Sequence, residues 1–209
     1  SELHSIGIPC FTPGTLIETI EGEVPVEDIR PGDLVRTVDN GWQPVRWAGQ
    51  RHLTQVDLAH CPNLRPVVVR KGAFGNRRKM LVSPQHGLVV GFGQDHRLMR
   101  AKHAAEMLGG KWARVDKRCE RVTYIHIMFD QHELIYAEGA PTEAFYPGPE
   151  AIKALDPAAF EELLLLFPEL ARVVYTDARP EEAFGAPARP YLLRRDIRQR
   201  FDDLSFLSA

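Results

Sequence analysis

The 209-residue sequence lacks several features that would point to whole classes of protein. Its longest apolar run, Leu163 to Phe167, falls far short of the roughly 20 residues that a membrane span needs. It also lacks an excess of either charge, since 26 Lys and Arg stand against 28 Asp and Glu. We therefore expect no membrane span and no electrostatic surface for nucleic acid.

Cysteine is also scarce. The three cysteines, Cys10, Cys61 and Cys119, form no CxxC pair, and their odd number argues against a disulfide framework. A four-cysteine zinc site is excluded on the same count. The chain begins at Ser1 and no basic and apolar leader precedes Cys10, so we expect it to be a piece of a longer polypeptide. The sequence leaves its localisation open.

Short β-branched runs separated by turn signals fill the chain from about Thr15 to Tyr146. This pattern predicts a mostly β domain with one helix, near Met99–Leu108, where apolar residues recur at helical spacing. The predicted strands are Thr15–Ile20, Leu34–Val38, Pro44–Trp47, Val67–Arg70, Gly87–Val90, Arg121–Phe129 and Glu133–Ala137.

The character of the sequence changes after Pro147-Gly148-Pro149. Apolar residues between Glu150 and Phe167 recur every three or four positions, which predicts one or two amphipathic helices divided at Asp156-Pro157. A loop over Arg179–Pro190 and a last helix over Tyr191–Leu204 follow. We therefore divide the chain into an upstream segment of residues 1–9, a β domain of residues 10–146 and a helical extension of residues 147–209. A packing cap over the β domain is a simpler role for this extension than a ligand site.

The first motif surrounds Cys10, in Pro9-Cys10-Phe11-Thr12-Pro13-Gly14-Thr15. Taken alone, a cysteine beside Phe is most often a small buried apolar residue. Here an apolar strand, a turn at Gly22 and the segment Pro31-Gly32-Asp33-Leu34-Val35 follow. This succession resembles the start of the Hint domains of hedgehog proteins and inteins. In those families the Cys attacks the carbonyl just before it, so the resemblance implies that Pro9–Cys10 is the scissile bond.

Two further motifs follow in the order of the same superfamily. Ser83-Pro84-Gln85-His86 looks like its Thr-x-x-His motif, although Ser-x-x-His also arises often by chance. The region of Asp130 and His132 resembles the strand pair near an intein C-terminus, with the Asp expected in the strand replaced near Tyr124 or His126. Taken on their own, Asp130 and His132 fit an ordinary turn with a surface ion pair better than a catalytic site.

The resemblance implies a mostly β, horseshoe-like Hint fold and an N-to-S acyl shift that converts the scissile amide into a thioester. It gives Cys10 the role of nucleophile and His86 that of an acid titrating near neutrality. Ser83 would hold the strained bond and its oxyanion. His132, with His126, would activate the acceptor, and Asp130 completes the candidate site. This chemistry requires no cofactor and no metal.

The end of the domain differs from that of a splicing intein. Inteins close with His-Asn, whereas this chain has Pro141-Thr142-Glu143-Ala144-Phe145, so we expect cleavage without splicing, as in a bacterial hedgehog-like group. The hedgehog acceptor is a sterol activated by an Asp, and Val45–Arg51 carries none. The expected substrate is the chain's own upstream polypeptide, the expected acceptor is water or a small thiol or amine, and a monomer is the default.

Three other interpretations stay open. An inactive Hint-like module of a larger secreted protein would have the fold without the chemistry. A conventional Cys-His hydrolase would act on other molecules, although no family signature surrounds Cys10. A metal-binding domain would use His86, His96, His103, Cys119, His126 and His132, whose spacings fit no compact ligand motif.

Overall fold

The computed structural model describes residues 8–91 and 95–199. Its strands are β1 (Leu16–Thr19), β2 (Gly22–Pro25), β3 (Leu34–Arg36), β4 (Trp42–Pro44), β5 (Trp47–Leu53), β6 (Val67–Val69), β7 (Met80–Val82), β8 (Gly87–Val90), β9 (Arg97–Arg100), β10 (Ala113–Val115), β11 (Val122–Met128), β12 (Leu134–Ala137) and β13 (Ala140–Glu143). Its helices are α1 (Gln55–His60), α2 (Ala101–Met107), α3 (Pro149–Lys153), α4 (Pro157–Leu166), α5 (Ala171–Tyr175), α6 (Pro180–Ala183) and α7 (Arg194–Gln199). None of these helices is long and apolar enough to cross a membrane.

Antiparallel pairing joins the strands into three groups. The largest is an eight-stranded sheet in the order β4-β3-β1-β12-β13-β8-β9, with β2 paired to β1 beside that path. Strands β10, β6 and β7 form a second sheet, and β11 pairs with β5 in a two-stranded ribbon from Val122 opposite Leu53 to Met128 opposite Trp47. The mostly β prediction is therefore confirmed.

A two-residue turn joins β12 to β13. Glu138 and Gly139 both have positive φ, at 51° and 79°, which is the backbone that a tight type I′ hairpin requires. The strain at Glu138 is offset because its carboxylate accepts hydrogen bonds from the Leu16 amide and the Arg78 guanidinium. This turn sets the register of β13, the strand that carries two buried polar residues of the candidate site.

Two predicted elements end in different places from those expected. Pro44–Trp47 is not one strand, because the Val45 amide bonds to the large sheet at Asp33 while the Arg46 amide bonds to the ribbon at Met128. The chain passes from one sheet to the other at these residues. The predicted helix near Met99–Leu108 begins at Ala101, since Arg97–Arg100 pairs with β8 as strand β9.

The helical extension packs against the β domain. Its Ile152, Leu163 and Leu170 are fully buried and share one apolar cluster with Trp47 and Phe145. Burying each such aliphatic side chain stabilises the fold by about 1.5–3 kcal/mol. Helices α3 and α4 are divided at Asp156-Pro157, where the Asp156 carboxylate accepts from the Ala159 amide as an N-cap.

The extension also adds backbone hydrogen bonds to the large sheet. The Leu98 amide donates to the Pro190 carbonyl at 2.9 Å, and the Leu192 amide donates to the Leu98 carbonyl at 2.8 Å, in a parallel bridge between Tyr191 and Leu98. The segment predicted as a loop contains the short helix α6. The last predicted helix, Tyr191–Leu204, begins at Arg194, and its residues from 200 onward lie outside the described part.

Candidate active site

Phe11 determines the position of Cys10. It forms antiparallel bridges with Val82 at the end of β7 and with Ile125 in β11, so its backbone joins the second sheet to the ribbon. In an antiparallel register the residue before Phe11 lies opposite the residue after each partner. Cys10 therefore faces Ser83 on one side and His126 on the other.

Ser83 clamps the chain on both sides of the proposed scissile bond. The Cys10 amide donates to Ser83 Oγ at 2.9 Å, and the Ser83 hydroxyl donates to the Ile8 carbonyl. The Ser83 amide donates to the Cys10 carbonyl at 3.0 Å. Ile8, Pro9 and Cys10 are all buried. The bond between Pro9 and Cys10 is thus held inside the protein by one serine residue.

His126 contacts the thiol. Its Nδ1 lies 3.5 Å from Cys10 Sγ, and its ring packs between the rings of Trp47 and Phe145. Gly49 lies opposite it in β5, where a Cβ would approach the Trp47 ring to 2.8 Å and His126 Nε2 more closely still. The absence of a side chain at Gly49 makes room for the imidazole.

Burial of Cys10 and His126 favours the uncharged form of each. Removal from water raises the pKa of the Cys10 thiol well above its ordinary value, although the Arg51 charge lowers it in part. Burial likewise lowers the pKa of His126 to about 3. The thiolate is therefore not the resting form of Cys10, and a neutral thiol meets a neutral imidazole.

His86 contacts the other face of the same segment. Its ring lies edge-on to Phe11, with 4.6 Å between centroids, and its Nε2 lies 2.5 Å from Thr142 Oγ1. The Thr142 hydroxyl donates to the Gly87 carbonyl at 3.2 Å, so Nε2 of His86 carries the proton and Nδ1 is an unpartnered buried lone pair. Burial lowers the pKa of His86 to about 4. The expectation of a side chain titrating near neutrality is therefore wrong, because the site excludes water.

His132 belongs to a second buried group. Its Nε2 lies 3.1 Å from Glu143 Oε2, and its Nδ1 accepts from the Ala188 amide at 2.9 Å. Glu143 also accepts from the Gly87 amide and, at 2.5 Å, from the Tyr191 hydroxyl. No hydrogen bond of the described residues joins His132 to Cys10. The Ala188 amide of the extension thus occupies Nδ1 of His132, the ring nitrogen that His132 would need to activate an acceptor.

Glu143 was missed by sequence reasoning. Burial opposes its ionisation, but the hydrogen bond and electrostatic interaction with His132 outweigh that cost and lower the pKa of the carboxyl below its ordinary value. The carboxylate links the loop after Ser83 and His86 to the extension, because it bonds to Gly87 and to Tyr191. The available signal was a glutamate next to the otherwise uncharged residues Ala140, Pro141 and Thr142.

Asp130 lies on the surface, away from this group. Its carboxylate accepts from Arg46 at 2.9 Å, and 60% of its side chain is exposed. The structure thus separates the predicted set: Ser83 and His126 contact Cys10, His86 contacts Phe11, and Asp130 forms the surface ion pair considered as its plainer role. In the part of the chain that is described, no three His, Cys, Asp or Glu side chains converge in a way that could hold a metal ion.

A surface cavity adjoins the proposed scissile bond. Pro9 and Gln85 line it on the side of the β domain, and Tyr191 lines it on the side of the extension. Within the described residues, no hydrogen bond ends on the Pro9 carbonyl oxygen, and the Gln85 side-chain amide has no hydrogen-bond partner. Pro9 and Gln85, each of which has a polar group without a hydrogen-bond partner among the described residues, therefore border the same cavity.

Residues 9–149 match the family model of the Hint domain. The chain belongs to the Hint domain family. The match spans Pro9 and Cys10, the Ser83–His86 motif and the strands around His126, in the order predicted from the sequence. The predicted Hint fold is confirmed, with a curled β sheet followed by helices, and family membership implies self-processing in general terms.

Solved structures of inteins and of an intein-like domain are among the structures that match this chain. They include a bacterial intein-like domain from Clostridium thermocellum (13% identity, TM-score 0.45, covering 65% of this chain and 97% of that one). A DnaB intein from Synechocystis sp. PCC 6803 is 9% identical, with a TM-score of 0.46 and coverage of 65% and 98%. The gp41-1 intein is 13% identical, with a TM-score of 0.41 and coverage of 64% and 97%. No curated protein matches the sequence.

Proposed function

We propose that this Hint domain cleaves the peptide bond between Pro9 and Cys10 through a thioester and does not splice. The observation that carries the proposal is the placement of one thiol. Cys10 has its sulfur at His126 and its amide at Ser83, so the nucleophile and the leaving nitrogen each meet a polar partner within one buried site. Such prior positioning is a large part of what a slow amide cleavage needs.

The first step is an N-to-S acyl shift. The Cys10 sulfur forms a bond to the Pro9 carbonyl carbon as its proton passes to Nδ1 of His126. The bond between that carbon and the Cys10 nitrogen then breaks, and the nitrogen takes up the proton that His126 received, so that His126 returns to its neutral form. The net result is the transfer of one proton from the Cys10 sulfur to the Cys10 nitrogen. No new charge therefore remains in a site where a buried charge is costly.

Three groups serve the leaving nitrogen and the oxyanion in this proposal. Ser83 Oγ already accepts from the Cys10 amide and so holds the leaving nitrogen. We assign to His86 the relay of the proton from His126, because its unpartnered Nδ1 can accept that proton and then release it to the nitrogen. The Gln85 amide is the proposed donor to the oxyanion that forms on Pro9, since both border one cavity. His132 is assigned to holding Glu143 and the extension in place.

Splicing is not part of the proposal. Asn cyclisation needs an Asn at the end of the domain, and this chain has Ala144 and Phe145 after Glu143. The thioester is instead released by an acceptor that attacks the Pro9 carbonyl. Products are an upstream fragment ending at Pro9 and a protein beginning at Cys10.

Mass spectrometry of the 209-residue chain tests the proposal. Incubation with dithiothreitol should produce fragments of residues 1–9 and 10–209, and Cys10→Ala should stay intact under the same conditions. Cys61→Ala is the matched control, because it removes a thiol outside this site. An intact wild-type chain, or equal cleavage of Cys10→Ala, would contradict the proposal.

The alternative is a catalytically inactive Hint module. The observation that favours it is the burial of Cys10, which holds the thiol in its protonated form. Such a module would remain uncleaved by dithiothreitol at every pH at which it is folded. The same mass measurement therefore separates the two functions.

A further inference from the structure

The cavity beside Pro9, here the Pro9 cavity, is built from both parts of the chain. Besides Pro9 of the upstream segment, the β domain contributes Gln85, Arg100 and Tyr146, and the extension contributes Pro149, Glu150, Glu181 and Tyr191, among others. The residue that carries the reactive carbonyl thus faces a space whose other wall lies in the extension. A nucleophile that reaches this carbonyl from solvent has a path through the cavity.

The charges on its walls are unequal. Glu150 and Glu181 are exposed and form no ion pair with any described residue. The cation of Arg100 is already engaged, since its guanidinium lies 4.5 Å above the Tyr191 ring and donates to the Gln85 carbonyl. The cavity therefore presents two unpaired carboxylates against one engaged guanidinium, together with apolar proline and tyrosine surface.

We propose that the Pro9 cavity binds the acyl acceptor and that it favours a small primary amine, which arrives as an ammonium ion. The two carboxylates attract the cation and raise its concentration beside the Pro9 carbonyl. Charged walls at Arg100, Glu150 and Glu181 disfavour a large apolar acceptor. This inference rests on the proposed thioester and assigns its acceptor.

The transfer balances without any oxidant or reductant. The ammonium ion loses one proton to solvent, and the amine nitrogen then bonds to the Pro9 carbonyl carbon. The bond from that carbon to Cys10 sulfur breaks, its electron pair leaves on sulfur, and the second amine proton goes to that sulfur. The products are an amide at Pro9 and the regenerated Cys10 thiol.

The test compares two nucleophiles of different charge at low ionic strength. Ethylamine is cationic at pH 7.5, whereas hydroxylamine is uncharged, and mass spectrometry distinguishes the ethylamide and the hydroxamate of residues 1–9 from the acid. We expect ethylamide formation to saturate with ethylamine. The variant Glu150→Gln with Glu181→Gln should lower its subsaturating yield by roughly 3–10-fold. The hydroxamate yield should not change.

The matched control is Glu161→Gln with Glu169→Gln, which removes two exposed carboxylates outside the cavity. It should leave both products unchanged. A linear dependence on ethylamine, or an equal effect of the two double variants, would overturn the amine site while leaving the thioester intact. If dithiothreitol releases nothing from the wild type, the proposed function fails, and the acceptor site fails with it.

Discussion

The sulfur of Cys10 lies 3.5 Å from Nδ1 of His126, and both side chains are buried. A neutral thiol and a neutral imidazole at this distance can exchange a proton without either group meeting water. The sulfur then becomes a nucleophile only as the proton leaves. In the proposed reaction, the reactivity of the sulfur therefore depends on His126 and not on a standing thiolate.

Replacing His126 by Asn should remove the proton acceptor and keep a polar group of similar size. We expect cleavage in dithiothreitol to slow by about 10²–10⁴-fold, the range typical of general acid–base catalysis. Time courses of the fragment of residues 10–209 measure this effect. The control is His52→Asn, at an exposed position of strand β5, and a similar loss in both variants would mean that His126 has no special role.

Gly49→Ala, on the strand that pairs with the strand of His126, should impair the same proton transfer. The added Cβ would approach the Trp47 ring to 2.8 Å and His126 Nε2 more closely, so the imidazole must move. We expect a loss of cleavage of at least about 10-fold, since small misplacements are costly in positioned reactions. Gly110→Ala is the control, because nothing lies within 4 Å of its Cβ. If Gly49→Ala cleaved at the same rate as the wild type, the site would be shown to tolerate this shift.

Removal of the Gln85 amide tests the proposed oxyanion donor. Gln85→Ala should slow the acyl shift by about 10²–10³-fold, the usual effect of losing one such donor. The melting temperature should stay unchanged, because the Gln85 side chain bonds to no described residue. Gln43→Ala, on strand β4, is the control. Rapid cleavage by Gln85→Ala would assign the oxyanion to another group.

Stability should fall in mild acid because of the two buried histidines. Burial lowers the pKa of His86 to about 4 and that of His126 to about 3, from an ordinary 6.5. The unfolded chain therefore binds more protons below pH 6.5, and the free energy of unfolding decreases from there down to about pH 3–4. Each histidine contributes up to about 1.4 kcal/mol per pH unit.

Urea unfolding between pH 7.5 and 4.5 measures that slope. His126→Phe should reduce the slope of the free energy of unfolding against pH by the contribution of one proton. His60→Asn, at an exposed site, should leave the slope unchanged. An unchanged slope in His126→Phe would show that His126 becomes protonated in the folded protein.

Tyr191→Phe should destabilise the whole domain. The change removes the hydroxyl that donates to buried Glu143, and an under-bonded buried carboxylate costs about 1–3 kcal/mol. Urea unfolding checks this against Tyr175→Phe, where the ring is 71% exposed. A neutral result would mean that the extension does not hold Glu143 in place.

The fold and part of the candidate site could be predicted from sequence. The order of the motifs was sufficient to predict the Hint fold. Glycine turns and β-branched runs were sufficient to predict its strands, because both are local signals. The contacts of Cys10 with Ser83 and His126 follow from pairing of Phe11 with two strands, and only the resemblance indicated which residues would meet. His126, which was predicted to help activate the acceptor, contacts the nucleophile instead.

Other features could not be predicted from local patterns in the sequence. Glu143 bonds to Gly87 and Tyr191, which are 56 and 48 residues away, and no spacing rule predicts such pairs. The pKa values of His86 and His126 depend on how completely water is excluded, which is a property of the packed core. The parallel bridge of Tyr191 with Leu98 was missed because a single bridge has no periodic pattern.

Ile8 is only 4% exposed and packs in the same apolar cluster as Trp47 and Phe145. Breaking the covalent bond after Pro9 does not remove this side chain from its pocket. The severed peptide must still dissociate, and its departure would expose apolar surface to water. We therefore expect a nicked complex that stays together in native buffer and separates only on denaturation, so that peptide dissociation and bond breakage have separate rates.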